Sequence, residues 1–192
     1  MSNKKLLALC PHPAQPPAVA MQMEAGVALH SDDALVFSFQ CRYPPASSDT
    51  QILLPAPTES IACDNLWQHT CCEAFVSAPD GDGSDDDGDA YLEFNFSPSG
   101  CWAVYRFDAY RVRDASYVCP FVPQIDFRQH TDGFELIATI SSKILPKATS
   151  WLVGLTVVIE TTDAHKSYWA LRHDAAAPDF HLKSQFLLTL QR

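Results

Sequence analysis

Four side chains in the run Tyr91-Leu-Glu-Phe-Asn-Phe-Ser-Pro-Ser-Gly-Cys-Trp-Ala-Val-Tyr-Arg-Phe107 are of types that recognise a polar molecule: the Glu93 carboxylate, the Asn95 amide, the Trp102 indole and the Arg106 guanidinium. The first two and the guanidinium accept and donate hydrogen bonds, and the indole offers a flat apolar face. Arg172 and His173 form a second polar group with Asp179 and His181 in a turn-rich segment, where binding residues gather. Glu73 and Glu93 are the paired carboxylates that acid–base attack on a glycosidic bond would use. The plainer reading of the first set is a solvated sheet face whose Glu93–Arg106 ion pair contributes little.

Positioning those groups requires two strands and a turn. Leu92, Phe94 and Phe96 alternate with Tyr91, Glu93, Asn95 and Ser97, the period of a half-buried strand. Pro98-Ser99-Gly100 supplies turn chemistry. With Ser99-Gly100 as a two-residue loop, Ser97 faces Trp102, Asn95 faces Val104, Glu93 faces Arg106 and Phe94 lies opposite Tyr105. One face is then apolar, with Ala103, Tyr105 and Phe107 beside Phe94, and the other gathers Glu93, Asn95, Trp102 and Arg106. A slip of one residue would oppose Phe94 to Val104 and Glu93 to Tyr105, mixing the two sets, so the pattern predicts the first parity.

The rest of the chain reads as all-β. Fourteen prolines and the lack of long helical periodicity divide it into short strands separated by turn clusters. Strands are expected over 5–10, 19–29, 34–42, 52–54, 72–78, 134–141, 151–161, 167–172 and 186–190, besides the hairpin. The 151–161 strand is apolar at nearly every position and is therefore central and covered on both sides. Asp64 to Thr70 is a loop or one helical turn, with Asp64 a candidate N-cap. About ten strands of this kind form a two-sheet antiparallel sandwich.

Length and charge narrow the partners. The 192 residues, 47 % of them apolar, suit a single domain spanning 1–192. A net charge of −10 with 13 Lys and Arg argues against nucleic acid and anionic membrane surfaces. No apolar run approaches the roughly 18 residues of a membrane span. The five apolar residues before Pro11 are too few for a signal sequence, whose apolar region needs about seven to fifteen. Seven cysteines without a CxxC pair read as reduced thiols of a cytoplasmic protein, with Cys71 and Cys72 on opposite faces of a strand.

Leu66-Trp-Gln-His-Thr-Cys-Cys-Glu-Ala-Phe75, the hairpin from Tyr91 to Arg106, Ser167-Tyr-Trp-Ala-Leu-Arg-His173 and Pro178-Asp-Phe-His181 together resemble the bacterial DOMON-like proteins, a family similar in fold to the family 9 carbohydrate-binding modules. The resemblance runs from about residue 30 to the C-terminus and implies a sandwich of about ten strands. It also implies a sugar or haem as ligand and no catalysis. The chain departs from the carbohydrate-binding modules where an acidic pair would precede the strand, having His69-Thr70 before Cys71-Cys72-Glu73.

On this reading the chain is a non-catalytic module for a small polar ligand such as a saccharide. Glu93, Asn95, Trp102 and Arg106 bind it, with Arg172 and His173 contributing; Trp67 and Trp169 are further aromatic candidates, and Trp151 is core. A haem site, a protein-interaction module and a glycoside-acting enzyme using Glu73 and Glu93 are the alternatives. Haem would draw on Met21, Met23, His69, His173 or His181, and zinc on His69, Cys71, Cys72, His173 or Asp179. Calcium would use Asp80, Asp82 and Ser84 of the acidic stretch 80–89, but Asp85 and Tyr91 replace the glycine and the glutamate that an EF-hand loop needs.

Overall fold

The computed structural model describes residues 6–44, 51–79 and 89–192, so the calcium reading of Asp80, Asp82 and Ser84 lies outside the described residues. Two antiparallel sheets face each other across an apolar core. The first has the order β8 (Gln124–His130), β9 (Gly133–Ser141), β3 (Ala34–Arg42), β2 (Gln22–Leu29) and the start of β1 (Leu7–Pro11). The second runs β7 (Val112–Arg113), β6 (Trp102–Ala109), β5 (Tyr91–Phe96), β4 (Cys71–Ser77) and β10 (Ser150–Glu160).

Beyond β10 the second sheet divides. The early half of β10 pairs with β12 (Leu188–Gln191), and its late half pairs with β11 (Lys166–Ala170). The end of β1 then joins β11, so one short strand closes both sheets at that side. Twelve strands replace the expected ten or so, and three short 3-10 turns are the only helical segments among the described residues. No helix among them is long and apolar enough to cross a membrane.

Alternation selects the core. From the first sheet come Phe37, Phe39, Phe134 and Leu136, and from the second Ala74, Val76, Phe94, Phe96, Val153, Leu155 and Val157. Phe37 meets both Phe94 and Phe96 at centroid distances of 5.3 and 5.6 Å. Burial of such a side chain stabilises the fold by about 1.5–3 kcal/mol. Trp151 is core as expected, its indole nitrogen donating to the Pro146 carbonyl at 2.9 Å. Trp169 joins it there, donating to the Ser167 hydroxyl at 3.1 Å.

The outer face of the second sheet is also covered, which is why β10 is apolar on both sides. A second cluster, with Phe75, Tyr91, Tyr105 and Phe107, packs there against Phe180 and Phe186 of the segment between β11 and β12. Gly154 makes the close approach possible. A Cβ at that position would stand 2.8 Å from the Phe186 ring, too near for any side chain.

Several expected elements are corrected. β2 begins at Gln22 rather than at residue 19, and 52–54 contributes only an isolated bridge between Ile52 and Thr161. Asp64 does not cap the turn Leu66–Gln68; Asn65 occupies that position in the left-handed conformation, and Asp64 instead accepts from the Tyr105 hydroxyl at 2.7 Å. β7 and β8 carry no expectation from the sequence. β7 is only two residues long, and β8 is mostly exposed, with Ile125 and Phe127 alone alternating toward the core.

The largest correction is the register of the β5–β6 hairpin. Phe96 pairs with Trp102, Asn95 with Ala103, Phe94 with Val104, Glu93 with Tyr105 and Leu92 with Arg106. The loop has three residues, not two. Ser97 and Cys101 close it through the Ser97 amide to the Cys101 carbonyl at 2.9 Å, and the Gly100 amide returns to the Ser97 carbonyl at 3.0 Å. Gly100 sits at φ 96, the left-handed residue that ends a three-residue hairpin loop. The extra residue inverts the parity of β6, so Trp102 and Arg106 lie on the opposite face from Glu93 and Asn95.

Candidate functional site

Three rows of side chains cross the outer face of the second sheet. In the first row Ala103, Asn95, Glu73, Thr156 and Ala170 stand side by side on β6, β5, β4, β10 and β11. Two positions further along, Tyr105, Glu93, Phe75 and Gly154 form the next row, followed by Phe107, Tyr91, Ser77 and Leu152. The parity that carried Trp102 away therefore brings Tyr105 beside Glu93. The β4–β5 register sets Glu73 and Glu93 diagonally across those two strands, a relation that separates their attachment points by about 7–8 Å.

Above these rows lies a pocket of about 440 Å³. Glu73 and Glu93 stand at its floor, Phe75, Tyr105, Phe107 and Val158 around them, and Trp67 at the mouth. Trp67 is 47 % exposed, held there by the 3-10 turn Leu66–Gln68. The segment after β11 supplies Pro178, Phe180 and His181 as one wall, and the turn after β6 supplies Arg111 and Arg113 as another. Arg111 adopts the left-handed conformation at φ 57. That geometry is costly for a residue other than glycine and is retained where the surroundings enforce it. Here its amide donates to the Tyr91 hydroxyl at 3.1 Å and its guanidinium to Asp179 at 2.9 Å.

The rim charges are paired. Arg113 lies over the Tyr105 ring at 3.9 Å and 3.5 Å from the Asp64 carboxylate. Burial pushes Asp179 up, but hydrogen bonds from Tyr110, the His181 amide and Arg111 outweigh it and hold that carboxyl below its ordinary value. His181 bonds the Tyr91 hydroxyl through Nδ1 at 2.8 Å, and its Nε2 is 3.9 Å from Glu93. Burial and the nearby Arg111 charge lower its pKa to about 4, so it is neutral near pH 7.

The floor is different. Glu73 is 2 % exposed, and burial followed by repulsion from Glu93 raises its pKa well above the carboxylate range. Its Oε1 and the Thr156 hydroxyl opposite it are buried without a hydrogen-bond partner. Glu93 is raised by burial too, opposed by the Asn95 amide and by the Arg111 and Arg113 charges. Asn95 donates to Glu93 at 2.7 Å, and its carbonyl oxygen lies 3.7 Å from the Cys71 thiol.

The expected site residues separate into those the pocket includes and those it does not. Glu93 lines it, and Asn95 supports Glu93 from below. Trp102 faces the sandwich core with its indole nitrogen buried and unpartnered. Arg106 lies 3.5 Å from Asp108 on that opposite side, so no Glu93–Arg106 pair forms. Arg172 and His173 brace the segment that walls the pocket without lining it. Arg172 bonds Asp174 at 2.8 Å and the Ser184 carbonyl, while His173 bonds the Cys10 carbonyl at 3.0 Å and meets His12 edge-on.

The haem and zinc candidates are dispersed. Met23 is in the core, His69 bonds Glu160 at 2.7 Å, and Cys71 and Cys72 point to opposite faces of β4 as their adjacency requires. Among the described residues no three His, Cys, Asp or Glu side chains gather as a metal site would need. All seven cysteines are free.

Arg111, Arg113, Tyr105, Tyr168 and Phe180 line the pocket without having been singled out from the sequence. The period-2 pattern held the signal for Tyr105, because the slipped register opposes it to Glu93. Arg111 and Arg113 had none, since a two-residue turn and a two-residue strand deliver them.

No protein-family model matches the chain, and no curated protein matches it. Among solved structures it is similar to a family 9 carbohydrate-binding module from Caldicellulosiruptor kristjanssonii in complex with cellotriose, with a TM-score of 0.54 and 14 % identity over 98 % of this chain and 82 % of that one. It is also similar to such a module from the same organism in complex with glucose, with a TM-score of 0.53 and 12 % identity over 98 % and 84 % of the two chains. At that identity the likeness is one of fold: the chain is an all-β sandwich with the architecture of the family 9 carbohydrate-binding modules.

Proposed function

We propose that this protein is a non-catalytic binding module whose outer-face pocket takes a small polar ligand of saccharide type. The observation that carries the reading is the combination of a pocket of about 440 Å³, aromatic walls and buried hydrogen-bonding groups at its floor. That volume suits one or two sugar rings. Trp67 offers its indole to the C–H face of a ring, and Glu93 with the rim arginines reads hydroxyls. The solved modules of like fold that hold cellotriose and glucose add support of the same kind.

Of the residues expected from the sequence, Glu93 is assigned to the ligand and Asn95 to holding Glu93. Arg172 and His173 are assigned to the wall segment. The test is calorimetric titration of the protein with a panel of mono- and disaccharides. At least one saturable binder is expected, with its affinity reduced about tenfold or more by Trp67→Ala. A panel without any binder would overturn the reading.

One observation favours a second reading. Glu73 and Glu93 share a face and a pocket, at a diagonal spacing near the range in which carboxyl pairs cleave glycosides. Turnover of aryl glycosides, abolished by Glu93→Gln, would establish that chemistry in place of recognition alone.

A further inference from the structure

We propose that the pocket selects a saccharide carrying a protonated amine, and that the Glu73 carboxyl receives the ammonium. The inference rests on the saccharide reading and names the class of sugar that the floor of the same pocket fits.

Glu73 is ringed by polar neighbours. Across the sheet it has Asn95 on β5 and Thr156 on β10, diagonally Glu93, and on β11 the Tyr168 hydroxyl, which the Glu73 charge raises in pKa after burial. Its own strand adds the Cys71 and Cys72 thiols. None of these is a cation, and Asn95 is already committed to Glu93 and Cys71. The cations of the pocket stand on the Glu93 side and have counter-charges: Arg111 has Asp179, and Arg113 has Asp64. His181, the remaining basic group, is neutral. Glu73 thus has an unpartnered buried oxygen and no counter-ion of its own.

A buried carboxyl in that position keeps its proton, because an unpaired charge there is costly. An incoming ammonium supplies the missing partner. Glu73 then ionises and its proton passes to solvent, so one positive charge enters as one leaves and the pocket gains no net charge. Trp67 and Tyr168 line the same pocket, and aromatic rings attract a cation as well as the C–H face of a sugar. The net charge of −10 draws a cationic ligand toward the protein at low ionic strength.

The experiment is isothermal titration of the full chain with glucosamine, glucose and N-acetylglucosamine, below the pKa of the free amine, in two buffers of different ionisation enthalpy. Glucosamine is expected to bind at least about tenfold more tightly than the two uncharged sugars. The buffer dependence should report release of about one proton for glucosamine and none for the others. Glu73→Gln, which resembles the protonated acid in shape and hydrogen bonding, should abolish the proton release and bring the glucosamine and glucose affinities of that variant to within about threefold of each other. Equal binding of charged and uncharged sugars, or binding of glucosamine without proton release, overturns the assignment and leaves the saccharide reading standing. Failure of all three sugars to bind overturns this assignment together with the pocket as a monosaccharide site.

Discussion

The inner and outer faces of the β5–β6 hairpin are both closed to solvent, yet they are built to opposite specifications. The inner face sets Leu92, Phe94, Phe96, Trp102 and Val104 against the first sheet, and aromatic packing fills the space. The outer face buries Glu93 and Asn95 between Tyr91, Tyr105 and Phe107 and leaves a pocket above them. What differs is the cover. A second sheet interdigitates with the inner face, whereas the outer face is roofed by the irregular segment carrying Phe180, His181 and Phe186, which touches the sheet at Gly154, brings His181 to 3.9 Å from Glu93 and leaves a pocket over the two carboxyls. Burial therefore marks stability on one side of the same two strands and, in the proposed reading, recognition on the other.

The strongest way to break this contrast is Phe94→Ala, which removes a fully buried ring from the inner face. It should cost about 3–5 kcal/mol in urea unfolding. Under native conditions ligand affinity should be unchanged. A loss below about 1 kcal/mol would mean that the inner face is not the close-packed one.

Acid should attack the outer face instead. The unfolded chain binds a proton at His181 below pH 6.5, whereas the native imidazole resists until about pH 4. Stability contributed by this group is thus intact above 6.5 and falls as pH drops, by about 3 kcal/mol over that window. His181→Gln should flatten the slope in urea titrations between those limits, and an unchanged slope would remove His181 from the account.

A smaller effect is expected at the turn that sets both faces. Gly100→Ala forces a side chain into φ 96 and should cost about 1 kcal/mol. If it costs nothing, the three-residue loop and the parity it imposes are in question. Smallest in stability is Trp67→Ala, at about 0.5 kcal/mol or less because the indole is half-exposed. Its ligand affinity nonetheless should fall about tenfold. Trp102→Phe sharpens the contrast by leaving affinity intact.

Much of the fold is legible in the sequence, because alternation in β3, β5 and β9 and the unbroken apolar run of β10 state which faces are covered. The candidate site is legible only in part. Glu93 and Asn95 come from β5, whose phase is unambiguous because they alternate with Leu92, Phe94 and Phe96, whereas on β4 Phe75 shares the face of Glu73. β6 offers little contrast: Ala103, Tyr105 and Phe107 are apolar, and so are Trp102 and Val104 of the alternative set, with Arg106 its one charge, so one extra residue in the loop decides which set faces the pocket. The Pro98-Ser99-Gly100 sequence is compatible with either loop length. Arg111 and Arg113 depend on the turn after β6 and on a two-residue strand, where no periodicity exists to read.

The central claim is that ligand binds over Glu73 and Glu93 on the outer face. A crystal structure of the protein soaked with the tightest-binding saccharide of the panel tests it most directly. Density for a sugar ring is expected beside Trp67, within hydrogen-bond distance of Glu93 and above the Glu73 carboxyl. An ordered sugar bound elsewhere, with this pocket holding only water, would contradict it.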